Sequence, residues 1–161
     1  MRVTCKIQPD EFTDKLSHAF DYDFNGESYF DVPEIPNKPK DFNIGLLVGN
    51  SGSGKSLLLD TFGKEKKIKW DNNKAVISHF DNPDEAIEKV FAVGLSSIPS
   101  LCKPYSVLSN GEKFRADMAR KLHDNSVIDE FTSVVNRETA FSVSTSISKY
   151  IKRKVTVFLN F

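Results

Sequence analysis

The chain has 161 residues, with 22 Lys plus Arg against 22 Asp plus Glu and 39% hydrophobic residues. That length can bury one real core with room for a small appendage, and the composition excludes a wholly disordered chain. A formal net charge of +0 removes any global electrostatic case for nucleic acid or an anionic membrane, leaving only a local patch to make one. No apolar run approaches the ~18 residues of a membrane span. Met1–Lys6 opens no apolar leader. Cys5 and Cys102 are too few for a disulfide framework or a metal cluster. The expectation is a soluble cytoplasmic protein with no membrane insertion.

Residues 1–41 read as a strand and turn segment of the same domain as the rest, rich in Asp, Phe and Tyr. Val3–Ile7 alternates like a short strand, and Tyr29–Val32 does so less clearly. Pro33, Pro36 and Pro39 forbid a helix there. From residue 42 the pattern sharpens. Phe42–Val48 predicts a buried parallel strand ending at Gly49. Ser56–Phe62, carrying Leu57, Leu58 and Leu59, predicts a buried helix. Lys64–Lys69 reads as a solvated loop or helix end, and Ala75–Phe80 as a second core strand.

Asn82-Pro83-Asp84-Glu85 is a helix start, with a capping residue, proline at the first helical position and acids in the first turn. Ile87, Val90, Phe91 and Leu95 then recur at helical spacing. Pro99 and Pro104 make Ser96–Val107 a loop. A helix from about Asn110 presents Phe114, Met118, Ala119 and Leu122 on one face. Ser126-Val127-Ile128 is a very short strand ending in two acids. Glu138–Lys149 predicts another helix, with Phe141, Ile147 and Tyr150 as core candidates. Val155, Val157 and Leu159 alternate in a last strand. Strands alternating with helices predict an α/β parallel sheet with right-handed crossovers.

Three motifs carry chemistry. Gly49-Asn50-Ser51-Gly52-Ser53-Gly54-Lys55-Ser56 matches the P-loop pattern at every fixed position, between a predicted strand and a predicted helix. Its glycines let backbone N–H groups wrap phosphate oxygens, and the helix starting there, with Leu57 in its first turn, points its positive end the same way. Lys55 reaches the β- and γ-phosphates in such a loop, and the Ser56 hydroxyl ligates Mg²⁺. Asp129 is the distal acid that holds Mg²⁺ from a neighbouring strand end, and Glu130 is placed to polarise an attacking water as general base. Leu108-Ser109-Asn110-Gly111-Glu112 precedes a helix and lies about twenty residues before Asp129. It reads either as a second anion site at a helix N-terminus or as a plain cap formed by Ser109 or Asn110.

In this order the motifs resemble those of ABC-type ATPases, over roughly Phe42 to Phe161. The resemblance implies a stand-alone, non-transporter P-loop NTPase-like domain: a parallel sheet with flanking helices after a short N-terminal β-rich segment. It implies ATP and Mg²⁺ as cofactors. It also implies a head-to-tail homodimer, or a heterodimer with another ABC-type ATPase, in which Ser109 and Gly111 close on the γ-phosphate held by the other subunit. One aromatic from Tyr22 to Phe30 would then stack on adenine.

The departures are specific. No glutamine stands between P-loop and signature, the sole one being Gln8, and Asn110 replaces a small residue. Asn136 sits where the family carries an aspartate. The family's switch histidine would fall just past Phe161. ATP binding with slow or partner-dependent hydrolysis is therefore the expectation. A monomeric P-loop phosphotransferase and a non-hydrolysing ATP-binding interaction module are the alternatives. His18, His79 and His123 have no metal-ligand spacing. The basic run Lys149–Lys154 reads as cations at a helix C-terminus before it reads as a nucleic-acid contact.

Overall fold

The computed structural model describes residues 2–33, 42–132, 135–154 and 157–160, with 152–154 and 157–160 described by backbone alone. Within it the chain is mixed α/β and divides into two compact units, Met1–Asn37 and Lys38–Phe161. Prolines 36 and 39 and Val155 lie outside the described residues.

In the first unit β1 (Arg2–Lys6) pairs antiparallel with β2 (Glu27–Asp31), from Arg2 opposite Asp31 to Lys6 opposite Glu27. The end of the ladder is closed by a two-point ion pair of Arg2 with Asp31, at 2.7 and 2.8 Å. Both partners are exposed, so the pair fixes register more than it adds stability. Between the strands runs a helix the sequence reading did not anticipate, α1 (Glu11–Phe20). Its start is written at Asp10, whose carboxylate accepts from the Phe12 and Thr13 N–H groups while Thr13 Oγ1 accepts from the Asp10 N–H, a capping box.

The second unit holds three parallel strands in the order β3 (Ile44–Leu47), β5 (Val157–Asn160), β4 (Ser126–Ile128). The last strand in sequence is thus the central one. As an edge strand, β3 is only half buried, with Leu46 and the following Val48 exposed, so the expected buried strand is corrected. The helices are α2 (Lys55–Leu59), α3 (Pro83–Ala92), α4 (Ile98–Leu101), α5 (Asn110–Lys121) and α6 (Arg137–Lys154). Asn82 caps α3 by accepting from the N–H groups of Asp84 and Glu85 at 2.9 and 3.1 Å, and Pro83 takes the first turn, as its sequence predicts.

The main core gathers Val90 and Val93 of the α3 region, Phe114, Met118 and Ala119 of α5, Leu122, Ile128, Phe131, and Val143, Ile147 and Ile151 of α6. Each fully buried large apolar side chain contributes about 1.5–3 kcal/mol. The expected faces of α5 and of Ile147 are buried as predicted. On α3 the spacing misleads: Ile87 and Phe91 are about half exposed, and Phe141 of α6 is three-quarters exposed. The apolar stripe there is wider than the face the core can cover.

Two loops also differ from expectation. Val76–His79 is a 3₁₀ turn rather than a strand. His79 stitches it: Nδ1 donates to the Ala75 carbonyl and Nε2 accepts from the Asp71 N–H, both at 2.9 Å. Within Ser96–Val107, Pro99 opens the short α4, and a 3₁₀ turn spans Tyr105–Val107. The segment before α3 is tied down by Trp70, which stacks on Tyr105 at 4.7 Å, meets His79 edge-on and lies under the Arg120 guanidinium. Asp117 accepts from Trp70 Nε1 at 2.8 Å and from the Tyr105 hydroxyl at 2.7 Å. Burial and that neighbouring carboxylate push the Tyr105 phenol well above its ordinary value.

Among the described residues, Ser126 Oγ is the buried side-chain polar atom with no hydrogen-bond partner. An unpaired buried hydroxyl costs about 1–3 kcal/mol. Ser126→Ala should therefore raise the urea midpoint, by an amount equivalent to ~1 kcal/mol. A lowered midpoint would show that the hydroxyl is satisfied.

Candidate functional site

The loop Gly49–Ser56 leaves the C-terminal end of β3, and Asp129-Glu130 leave the C-terminal end of β4. Leu46 and Ile128 are both paired with Leu159 of β5, so the two strand ends stand level. One intervening strand separates them by roughly 10 Å, twice the inter-strand spacing. In open parallel sheets this carboxyl edge is where ligands bind. The sequence-predicted loop and acid pair therefore share one edge.

The loop has the backbone its glycines allow. Gly52 and Gly54 lie at φ +76° and +84°, a region that disfavours side chains. A Cβ on Gly49 would lie 3.0 Å from Ser53 Oγ, a tight approach that the serine hydroxyl would have to move to relieve. The Ser53 N–H donates to the Asn50 carbonyl at 3.2 Å. Lys55 folds back over the loop, its Nζ donating to the Gly49 and Asn50 carbonyls at 2.8 and 2.9 Å. Gly54 caps α2 in the left-handed conformation, and Ser51, Ser56 and Leu57 are exposed beside it. The helix is shorter than Ser56–Phe62: it gives way to turns after Leu59, and Leu59 is its one buried residue.

What holds α2 in place is a small second apolar cluster. Leu59 and Val127 are buried together, with Leu47 and Phe62 packed against them. Val127 of the acid-bearing strand thus seats the helix that starts at Lys55.

Asp129 is half buried and Glu130 exposed, between the buried anchors Ile128 and Phe131. Glu130 adopts φ +50°, a left-handed conformation costing a residue with a Cβ about 1–2 kcal/mol. Its N–H donates to Asp129 Oδ1 at 2.9 Å. A residue the sequence reading passed over, Glu65, clamps this corner: its Oε1 accepts from Lys121 Nζ at 2.8 Å and from the Asp129 N–H at 3.2 Å. Nothing in the charged run Lys64–Lys69 singles it out.

Ser109 caps α5 in a reciprocal capping box. Its Oγ accepts from the Glu112 N–H at 3.3 Å and donates to Glu112 Oε2 at 2.6 Å, and the same carboxylate accepts from the Ser109 N–H at 2.9 Å. Ser100 donates to Glu112 Oε1 from α4. Asn110 is exposed, and Gly111 has only ordinary contact for an added Cβ, at 3.6 Å from Arg115. The two sequence motifs meet at a cavity of about 520 Å³ bordered by Asn110, Lys113, Asp117, Lys121, Asp129 and Glu130 over a floor of Tyr105, Phe114 and Met118. Lys55 and Ser56 do not line it.

Among the described residues no group of three or more His, Cys, Asp or Glu side chains could hold a metal ion by itself, and no helix is long and apolar enough to cross a membrane. No protein-family model matches the sequence, and no curated protein matches it.

The hydroxyls of Ser100 and Ser109, then the Ser109 N–H, hold the Glu112 carboxyl down to about 2. The unfolded chain takes up that proton first as pH falls, so the box stabilises the fold above about pH 4.5 and is lost on the way to about pH 2. The stability difference between wild type and Glu112→Gln, from urea titrations, should shrink across that window. A difference independent of pH would mean the carboxylate is not held by these donors.

Proposed function

We propose that the second unit binds Mg·ATP at Gly49–Ser56 and hydrolyses it slowly or only with a partner, pairing head to tail around the nucleotide as its resemblance to ABC-type ATPases implies. The observation that carries this reading is the shared carboxyl edge: the glycine loop after β3 stands level with Asp129-Glu130 after β4. The loop's own construction supports it. Positive φ at Gly52 and Gly54 suits backbone N–H groups turned toward phosphate oxygens.

In this reading Lys55 exchanges the Gly49 and Asn50 carbonyls for phosphate oxygens. The exposed Ser56 hydroxyl and the Asp129 carboxylate would then hold Mg²⁺, and the bound ion would neutralise charge on the β- and γ-phosphates. Glu65, by fixing the Asp129 backbone, positions that carboxylate. Glu130 takes the proton of the attacking water. Phosphoryl transfer depends on positioning, so the missing glutamine and the Asn136 in place of an aspartate cost rate more than binding, each on the order of 10- to 1000-fold.

One observation favours a second reading. The Ser109 hydroxyl is already engaged at both ends with Glu112, which is what a plain helix cap requires. A monomeric P-loop phosphotransferase would use that cap structurally and would place an acceptor in the 520 Å³ cavity beside Glu130.

Lys55→Ala should abolish ATP binding by calorimetry, and Mg·ATP should double the solution mass of the chain in which the exposed Leu16 is replaced by glutamate, but not when that chain also carries Lys55→Ala. Undiminished binding in Lys55→Ala overturns the P-loop assignment. Binding without a mass change selects the second reading. Glu130→Gln should bind ATP as wild type does but lose residual hydrolysis and lengthen the life of the ATP-bound assembly. Hydrolysis at the wild-type rate in that variant would place the base elsewhere.

A further inference from the structure

The first unit lacks the means to stand alone. Among its described residues Val32 is the one buried side chain, every residue of β1 and β2 is exposed, and α1 buries nothing. Units below about 40 residues usually need a disulfide, a metal or association to be stable. Cys5 is a free, exposed thiol. What the unit does carry is a continuous apolar row on α1: Phe12, Leu16 and Phe20, spaced by four and exposed at 78%, 58% and 75%. Beside that row lies a groove of about 410 Å³ lined by Thr13, Leu16, Ser17, Phe20, Tyr22 and Phe24.

We infer that this face is an interface with a second copy of the same chain, formed without nucleotide by antiparallel packing of α1 on α1. The row reads the same in both directions. A two-fold axis beside Leu16 sets Leu16 against Leu16 and Phe12 against Phe20 of the other copy, the geometry of a self-complementary patch. Small residues flank the row, with Thr13 and Ser17 on one side and Ala19 on the other, so the helices can approach ridge into groove. Phe12, which does not line the groove, is the side chain that fills it across the axis. Asp14 and His18 fall on the opposite helical face and stay in water. Antiparallel helices also oppose their dipoles favourably. With Tyr22, the patch offers on the order of 500 Å² per copy, taking 150–250 Å² for a buried aromatic. Two copies then bury roughly 1,000 Å², the threshold for a specific interface.

The test uses the full chain without nucleotide. Wild type should sediment as a concentration-dependent dimer, and Leu16→Glu as a monomer with unchanged helical circular dichroism, since Leu16 is exposed in the protomer. In a Cys5→Ser, Cys102→Ser background, Leu16→Cys should form a disulfide-linked dimer under mild oxidation, and Asp14→Cys should not. A wild-type monomer at every concentration, a dimer that needs Mg·ATP, or equal cross-linking at positions 14 and 16 would each overturn the inference. Neither Lys55→Ala nor loss of ATP binding bears on it, so it stands or falls apart from the nucleotide reading.

Discussion

Val127 and Ile128 point to opposite faces of one three-residue strand, and each is sealed into a different apolar cluster. Ile128 joins the main core with α3, α5 and α6. Val127 meets Leu59 of the helix that begins at Lys55. A strand has period two, so a slip of one residue would exchange the two faces and break both clusters at once. With the register set this way, Asp129 and Glu130 can leave the strand only at the edge where the glycine loop also emerges. Phe131, fully buried and tilted against Phe114, anchors the chain directly after Glu130, whose backbone is left-handed.

The segment between α2 and α3 is secured by side chains rather than by regular structure. Glu65 bonds Lys121 and the Asp129 backbone, Trp70 lies between Tyr105 and Arg120, and the Arg120 guanidinium also donates to the Lys69 carbonyl. All of these partners belong to, or directly flank, α5 and the acid corner. Residues 65–70, which lie in no strand or helix, thereby become a strap that joins the helix capped by Ser109 to the carboxylates after β4. Asp117 completes it by accepting hydrogen bonds from two aromatic partners at once, an arrangement in which neither its own charge nor their polar tips are left unpaired.

Much of this was legible from local rules. The cap at Asn82, the face of α5, the strand Ser126–Ile128 and the loop Gly49–Ser56 all follow from residue type at fixed spacing, and the fold places each where those rules predict; at Ser109 the sequence left a plain cap and a second anion site both open. The failures share a cause. Ala75–Phe80 is an apolar run too short for periodicity to distinguish a strand from a turn, and the bonds that decide it come from His79 and from the Lys103 carbonyl, far away in sequence. Ile87, Phe91 and Phe141 have the spacing of core residues, but how much of a helix face is covered depends on its neighbours, which spacing does not encode. The capping signal at Asp10 and Thr13 was present in the sequence, but the row of Phe12, Leu16 and Phe20 gained its meaning only once the helix was seen to bury nothing. Glu65 had no signal at all, because its role depends on contacts with Lys121 and Asp129 more than fifty residues away.

If Gly49–Ser56 is the phosphate loop proposed above, the fold-back of Lys55 sets a term for recognition. Its ammonium already satisfies two carbonyls of its own loop, so an arriving anion has to outbid those internal acceptors rather than fill a bare positive hole. A singly charged ion with few oxygens offers little in such a contest. A polyphosphate offers several oxygens and more charge, and it can release both carbonyls together. In the proposed reading the loop is a self-occupied lock, one that would filter out weak anions by competition before any contact with the base or sugar of a nucleotide can matter.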